Sequence, residues 1–153
     1  MTIPEPADVE AVLIAALRED GTLQSLLAPS VLHDDATPAV WEVWAPEQQE
    51  EPYITLFGDY TAGDSPWALR TGTVDVHIWG RGPGYNEVRK IRDAVVRAVD
   101  RRMFFSDRTG HSIRVFAGAD SPVSQDEPSQ VHWLQALEVR FWRQADLEAM
   151  INE

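Results

Sequence analysis

The sequence of 153 residues contains no cysteine, which excludes disulfides, zinc–thiolate sites and thiol catalysis. It has a single lysine, Lys90, and its 13 basic residues are outnumbered by 25 acidic ones, for a net charge of −12. Proteins that hold nucleic acid nonspecifically use lysine and arginine, because counterion release from phosphates supplies most of that affinity. The composition therefore argues against tight DNA or RNA binding, although a surface that DNA must pass without being held would have the same composition.

Long hydrophobic runs are missing as well. The longest, "AVLIAAL" from Ala11 to Leu17, is far short of the roughly 20 residues that cross a bilayer. The N-terminus also lacks the basic stretch and apolar run that are typical of a signal peptide. We therefore expect a soluble, intracellular protein with no membrane partner.

The residues that are present predict a packed domain. About 44% of the chain is hydrophobic, and six tryptophans and five phenylalanines supply bulky side chains for a core or an interface. A chain of this length buries roughly two-thirds of the surface that its unfolded form exposes. We predict one domain over residues 1–153.

Hydrophobic periodicity predicts the order of the elements. Apolar residues at helical spacing predict helices over residues 7–18 and after the glycines near residue 84, with Asn86 as N-cap, and shorter helical segments near residues 22–30 and at the C-terminus. Alternation predicts strands over residues 40–44, 53–60, 69–79, 112–118 and 131–143. The predicted fold class is α+β: a mostly antiparallel β-sheet with two α-helices packed on one face, the strands before the glycines forming a hairpin.

A glycine-rich stretch, "VDVHIWGRGPGYNEVRKIRDAVVRAVD", joins a predicted strand to a predicted helix. Such turns can hold a phosphate, but Tyr85 stands where a dinucleotide-binding fingerprint has its third glycine, and no Gly-Lys-Ser/Thr follows. We interpret the glycines as a corner in the chain. A small nucleotide-binding enzyme using the turn from Gly80 to Gly84 is the less favoured alternative.

Other chemical motifs are weak. The histidines His33, His77, His111 and His132 show no metal-ligand spacing, and "HDD" at His33 to Asp35 is more typical of a solvated turn than of a metal site. No serine has a G-x-S-x-G setting. We predict that the protein is not an enzyme and has no catalytic, cofactor or metal site.

Charge is unevenly distributed along the chain. The span between Arg18 and Arg70 has no basic residue, whereas basic residues prevail from Arg81 to Arg114. These regions are either two solvated faces or the two halves of a contact in which one subunit's acidic region meets its neighbour's basic helix. In the second case, the candidate acidic, partner-facing residues are Asp34, Asp35, Glu47, Glu50 and Glu51, and the candidate interface arginines are Arg89, Arg92 and Arg97.

The last predicted strand is apolar on both faces, with Trp133 on one and Trp142 on the other. Helices on one side of a sheet leave the opposite face uncovered, and tryptophan is enriched where subunits meet. Trp133 and Trp142 are therefore further candidates for a subunit interface.

The chain resembles the tail-terminator, or tail-completion, proteins of long-tailed bacteriophages. The likeness lies in "VEAVLIAALRED" and "TLQSLLA", then "PYITLFGDY", then "TGTVDVHIWGRGPGYNEVRKIRDAVVRAVD", and finally the late strand "WLQALEVRFWR". It covers roughly Val9 to Arg143 and rests on structural patterns, not on a chemical signature. The loops "GDSPWA" and "ADSPVSQDEPSQ" are longer than in the leanest members.

The resemblance implies a structural virion protein of the tail's neck region, assembled in the host cytoplasm. It implies a subunit of a homo-hexameric ring that caps the tail tube, ends its polymerisation and joins the tail to the head. The implied partners are further copies of the chain, the tail tube protein and a head-completion or connector protein, while DNA passes through the channel without specific binding. The acidic candidates would then line the lumen or face a partner. Another neck or head-completion connector protein is the alternative within the same class.

Overall fold

The computed structural model describes residues 8–33, 36–59, 69–123 and 129–151. The elements follow in the order α1 Val9–Glu19, α2 Gly21–Leu26, β1 Val40–Glu42, β2 Tyr53–Asp59, β3 Leu69–Arg81, α3 Asn86–Val99, β4 Met103–Phe105, β5 His111–Val123, β6 Gln130–Arg143 and α4 Gln144–Ile151. Strand β4 was not predicted, and β5 extends beyond the predicted range of residues 112–118. In the described ranges no helix has the length and apolar character needed to cross a membrane.

The six strands form one sheet in the order β1-β2-β3-β6-β5-β4. Strands β2 and β3 are antiparallel, with Tyr53 opposite Trp79 and Asp59 opposite Thr73, as the predicted hairpin requires. The centre of the sheet is the long pairing of β3 with β6, which runs from Leu69 opposite Trp142 to Arg81 opposite Gln130. Because β1 and β4 have three residues each, the sheet has short strands at both edges.

The predicted fold class is wrong. The sheet is mixed and strongly curled, and the described helices are four short ones, not two packed on one face. The mixed character comes from β1, which runs parallel to β2 with Val40 beside Ile54. Side-chain alternation reports which face of a strand is buried but not the direction of the neighbouring strand. A register shift in β5 between Ala117 and Asp120 adds local twist, because a bulge bends its strand.

The core is formed by buried residues of the helices and of the sheet. Val74, Val76 and Ile78 of β3 are fully buried, as their shared face predicted, and Leu137 of β6 lies beside them in the same core. Helix α3 buries a stripe that includes Ile91. Burying an aliphatic side chain of this size contributes about 1.5–3 kcal/mol.

The glycine turn after β3 serves helix packing. A Cβ on Gly80 would lie 2.6 Å from Cγ1 of Val88, so only glycine allows α3 to approach the strand this closely. Gly84 has φ +87, a conformation that favours glycine. The predicted N-cap is displaced by one residue: Asn86 is the first helical residue, and Tyr85 occupies the cap position without a side-chain hydrogen bond. The ring of Tyr85 instead packs edge-on against Trp133.

Candidate interaction surfaces

One edge of the sheet presents an exposed tryptophan among carboxylates, and we call Glu42, Trp44, Glu47 and Glu50 the acidic edge. The side chain of Trp44 is 82% exposed, immediately after β1. Val43 before it has φ 63, which is unusual for a β-branched residue. Its amide donates to the carbonyl of Leu56 at 2.8 Å, and the Trp44 amide donates to the carbonyl of Glu42 at 2.6 Å. This tight turn directs Trp44 away from the core.

The buried side chain of Gln49 fixes the loop that follows Trp44. Its Oε1 accepts from the amide of Val31 and from Nε1 of Trp41, each at 3.2 Å. Its Nε2 donates to the carbonyls of Pro29 at 3.1 Å and of Glu50 at 2.9 Å. One side chain thus ties two loops to the tryptophan of β1. The acidic edge is therefore held in a defined geometry.

The opposite edge of the sheet has the reverse charge, and we call Arg101, Arg102, Met103 and Phe105 the basic edge. All four are exposed. The Arg101 side chain is 82% exposed, and its only ion-pair contact within the described ranges is to Asp100 at 4.0 Å. Arg101 has φ 60, and its amide donates to the carbonyl of Val115 at 2.8 Å. Among described non-glycine residues, only Val43 and Arg101 have positive φ, and they lie at opposite edges of the sheet.

The predicted interface arginines of α3 have different environments. The guanidinium of Arg89 lies 5.3 Å from the ring centre of Trp133. Arg92 is half-buried, with ion-pair distances of 2.8 Å to Asp93 and 2.7 Å to Asp120. Arg97 is exposed in the last turn of the helix. Arg92 is thus engaged within the subunit, whereas Arg97 is available to a partner.

The two predicted interface tryptophans also differ. Trp133 is only 7% exposed, and its Nε1 donates to Oδ2 of Asp120 at 2.8 Å. The same carboxylate oxygen accepts from Arg92 at 2.7 Å, so Asp120 joins α3, β5 and β6. Trp142 is half-buried, opposite Leu69 on β3 and Ser112 on β5, on the sheet face away from the core. Of the two, Trp142 has more surface left for a partner.

The predicted acidic residues fall into three groups. Asp34 and Asp35 lie outside the described residues. Glu47 and Glu50 are exposed in the loop that Gln49 holds. Glu51 is half-buried and accepts from Nε2 of Gln130 at 2.6 Å, which ties that loop to the start of β6. Glu47 and Glu50 therefore form the exposed part of the predicted acidic surface that the structure describes.

A stack of rings lies on the sheet face away from the core. His132 stacks on Trp79 with ring centres 3.8 Å apart, and Nδ1 of His77 lies 2.7 Å from Nε2 of His132. Because one nitrogen of that pair must donate and the other accept, the contact cannot form when both rings are protonated. Burial, and then the charge of His77, lowers the pKa of His132 to about 4. Burial also lowers the pKa of His77, although Asp75 opposes that effect.

The described residues contain no group of three His, Asp or Glu side chains that could hold a metal ion. An open cleft of about 510 Å³ lies beside α1 and is lined by residues that include Arg18, Glu19 and His33. Arg18 donates from Nη2 to the carbonyl of Val40 at 2.7 Å, so it serves as a structural tie to β1. Nδ1 of His33 lies 2.6 Å from Oγ of Ser30, which is buried, so this pair fixes the loop beside the cleft.

Sequence reasoning missed several residues that organise these surfaces. Gln49 stands in a polar, acidic loop, and nothing in its local pattern indicates burial. Strand alternation placed His77 and Trp79 on one face, but their contact with His132 depends on the register of β3 against β6. Asp120 gains its role through the irregular part of β5. Only the positions of neighbouring strands reveal these contacts.

A family model described as "Tail completion protein gp17" matches residues 11–127 of the chain. Among solved structures, a chain from "Virion of native gene transfer agent (GTA) particle" is similar, with a TM-score of 0.65 and 14% sequence identity. That alignment covers 88% of this chain and 94% of that chain. At this identity, the likeness establishes the fold alone. No curated protein sequence matches the chain significantly.

Proposed function

Because the chain belongs to the tail completion protein gp17 family, we propose that it caps the phage tail tube as a subunit of a ring and joins the tail to the head. The protein is a structural component of the bacteriophage virion tail. The observation that carries the finer proposal is this family match, which extends over most of the chain. Ending tube growth requires binding and shape, and the described surfaces supply both without a reactive centre.

The proposed partners are further copies of the chain in a homo-hexameric ring, the tail tube protein and a head-completion or connector protein. The separation of charge supports contacts between copies, because the acidic edge and the basic edge lie at the two opposite edge strands of one sheet, β1 and β4. A subunit with different patches at its two ends makes heterologous contacts, which close into a ring when the rotation between neighbours permits. The net charge of −12 would let DNA pass the ring without being held.

The alternative functions have less support. A different neck or connector protein would share the same kind of surfaces, but the family description names tail completion. A nucleotide-binding enzyme would use the turn from Gly80 to Gly84. There, Gly80 is packed against Val88, and the Glu87 carboxylate lies 3.5 Å from the amide of Arg81. A phosphate at this turn would meet that carboxylate, so the enzyme is disfavoured.

Light scattering and cryo-electron microscopy test the ring. We expect a closed oligomer with a mass near six subunits, either in solution or on purified tail tubes, and tubes of uncontrolled length when the protein is omitted during assembly. Addition of nucleotides should leave the melting temperature unchanged. If the tubes end normally without the protein, the capping function is wrong.

Charge reversal on α3 provides a second measurement. The structure makes Arg97→Glu the clean probe, because Arg97 is exposed while Arg89 and Arg92 contact Trp133 and Asp120. Arg97→Glu should leave the subunit folded, since exposed charges contribute about 0–1 kcal/mol to folding, and should weaken assembly if α3 faces a partner. Unchanged assembly at low salt would remove α3 from the interface.

A further inference from the structure

The two edges of the sheet are complementary in more than charge. The acidic edge offers an exposed indole, from Trp44, in a segment that also carries the exposed carboxylates Glu42, Glu47 and Glu50. The basic edge offers two exposed guanidinium groups, Arg101 and Arg102, beside two exposed apolar side chains, Met103 and Phe105. Indole faces attract guanidinium groups, and the methionine sulfur makes favourable contacts with aromatic rings. Each edge carries what the other one binds.

Both edges are held by backbone conformations that their residues disfavour. Val43 precedes Trp44 with φ 63, and Arg101 has φ 60. Such conformations persist where surrounding hydrogen bonds impose them, and they cluster at functional sites. Here the bonds from Val43 to Leu56 and from Arg101 to Val115 impose them. In both places the result is a large exposed side chain at the edge of the sheet.

We propose that Trp44 is the anchor of the contact between subunits, and that it docks against Arg101, Arg102, Met103 and Phe105 of a second copy of this chain. The inference rests on the proposed ring and names the surfaces that would close it. Since the two edges are at opposite ends of the strand order, the same contact repeats from copy to copy and no copy uses one surface twice. In this proposal the basic side of the interface is the basic edge and not α3, where Arg92 is paired within its own subunit.

The contact is made by side chains and not by strand addition. The outward carbonyl of Val40 on β1 accepts from Arg18 at 2.7 Å, and that of Glu42 accepts from the Trp44 amide at 2.6 Å. With these carbonyls occupied, β1 is a poor template for another strand. The exposed carboxylates of Glu47 and Glu50 add charge attraction around the tryptophan. This arrangement, an aromatic anchor with a charged rim, is that of an interface hot spot.

Engineered cysteines test the contact directly, because the chain has none of its own and each introduced thiol is unique. We propose to mix Glu47→Cys with Arg102→Cys under mild oxidation and to follow the mixed disulfide by mass spectrometry. The matched control replaces Arg102→Cys with Lys90→Cys, another exposed cation, on α3. A third mixture, Glu47→Cys with Arg97→Cys, reports a contact through α3. The mixed disulfide of the proposed pair should form roughly tenfold faster than in either comparison.

Trp44→Ala in the Glu47→Cys protein should reduce that rate severalfold toward the control. The substitution removes an exposed side chain, so circular dichroism and the melting temperature should not change. The Glu47→Cys and Arg102→Cys pair could crosslink faster than the controls and keep that rate after Trp44→Ala. That result would show that Trp44 is not the anchor. Preferential crosslinking of the Glu47→Cys and Arg97→Cys variants would show that α3, and not the basic edge, faces the acidic edge of the neighbouring copy.

The wild-type oligomer, measured by light scattering at the same concentration and on tubes, separates this inference from the proposed ring. A closed oligomer without preferential crosslinking contradicts the inference and leaves the ring intact. Preferential crosslinking without a closed oligomer supports the docking and contradicts ring closure. If preferential crosslinking and a closed oligomer are both absent, the inference and the proposed ring are both wrong. Capture of the Glu47→Cys variant by the tube protein in place of its own copies would assign the acidic edge to that partner and also contradict the inference.

Discussion

At the scale of single residues, unfavourable backbone conformations coincide with exposed functional chemistry. Residues such as Val43 and Arg101, in sparsely populated regions of φ and ψ, cost about 1–3 kcal/mol each. Neither improves the core, because both side chains are exposed. What they do is direct an indole and a guanidinium outward at opposite sheet edges. We therefore expect both conformations to serve the proposed contact between subunits.

Replacing Gly80 by alanine should destabilise the subunit. The new Cβ would lie 2.6 Å from Cγ1 of Val88, so α3 or the Val88 side chain must shift. We expect a loss of about 1–3 kcal/mol in the free energy of unfolding, measured by urea denaturation. Gly21→Ala is the control: it meets no atom within 4 Å and should change stability by less than about 1 kcal/mol. Equal effects of the two substitutions would show that Gly80 does not set the distance of α3.

The stack of His132 on Trp79 predicts a loss of stability in mild acid. The folded state keeps His132 neutral down to a pKa of about 4, whereas the unfolded chain takes up the proton near pH 6.5. The unfolded state therefore binds more protons between these values, and the free energy of unfolding falls as pH drops from about 6.5 toward 4. His132→Gln should remove on the order of 2 kcal/mol of that loss between pH 7.5 and pH 5.

The free energy of unfolding is measured by urea denaturation at pH 7.5 and at pH 5 for the wild type and for each variant. The quantity compared is the change between the two pH values. His33→Gln is the control, because His33 is exposed and lies apart from the stack. If His132→Gln retains the full wild-type loss, the acid sensitivity arises from other groups.

At the scale of elements, the long strands form the sheet, and the loop after β1 presents the acidic edge. Strands β3 and β6 pair over thirteen positions and form the centre of the sheet. The loop after β1 has no regular structure, yet Gln49 gives it four hydrogen bonds to two loops and a strand. Such a loop is as defined as a strand, because its polar groups are satisfied at low exposure. The acidic edge can therefore act as a preorganised binding surface.

Gln49→Ala should loosen this loop. It leaves the amide of Val31, the carbonyl of Pro29 and the indole of Trp41 without their partner, at a cost of about 1–3 kcal/mol. Faster hydrogen exchange at Val31 and a shifted Trp41 indole signal would report the loss by nuclear magnetic resonance. Gln48→Ala, at the exposed neighbour, should change neither measurement. Unchanged exchange in Gln49→Ala would mean that the loop is held by other contacts.

At the scale of the whole molecule, the two edges of the sheet differ in charge, and the proposed contact would pair the acidic edge of one copy with the basic edge of the next. Net charge repels both DNA and other acidic surfaces, so attraction between copies must come from a concentrated basic region. The basic edge supplies one at the far end of the sheet from the acidic edge. The proposed ring would need this combination, since its subunits would bind one another while DNA moves past. The crosslinking of Glu47 and Arg102 variants is the measurement that decides whether the combination operates.

Much of the chain could be predicted from local pattern. The alternation through Val74, Val76 and Ile78 identified a strand face that is buried, and the stripe through Ile91 identified α3. The glycines near Gly80 were interpreted as a corner, and the contact with Val88 gives the physical reason. These predictions succeed because the spacing of apolar residues is a property of one strand or one helix at a time.

Sequence by itself determined which faces of the long strands and of α3 are apolar, and it excluded disulfides and thiol or zinc–thiolate chemistry because the chain has no cysteine. Tertiary structure alone decided the parallel pairing of β1, the curl of the sheet and the exposure of Trp44. It also decided that Arg92 and Trp133 share Asp120 inside the subunit, while Arg101 and Arg102 stay exposed. The physical reason is that periodicity encodes the faces of an element, whereas pairing direction and edge position depend on residues far away along the chain.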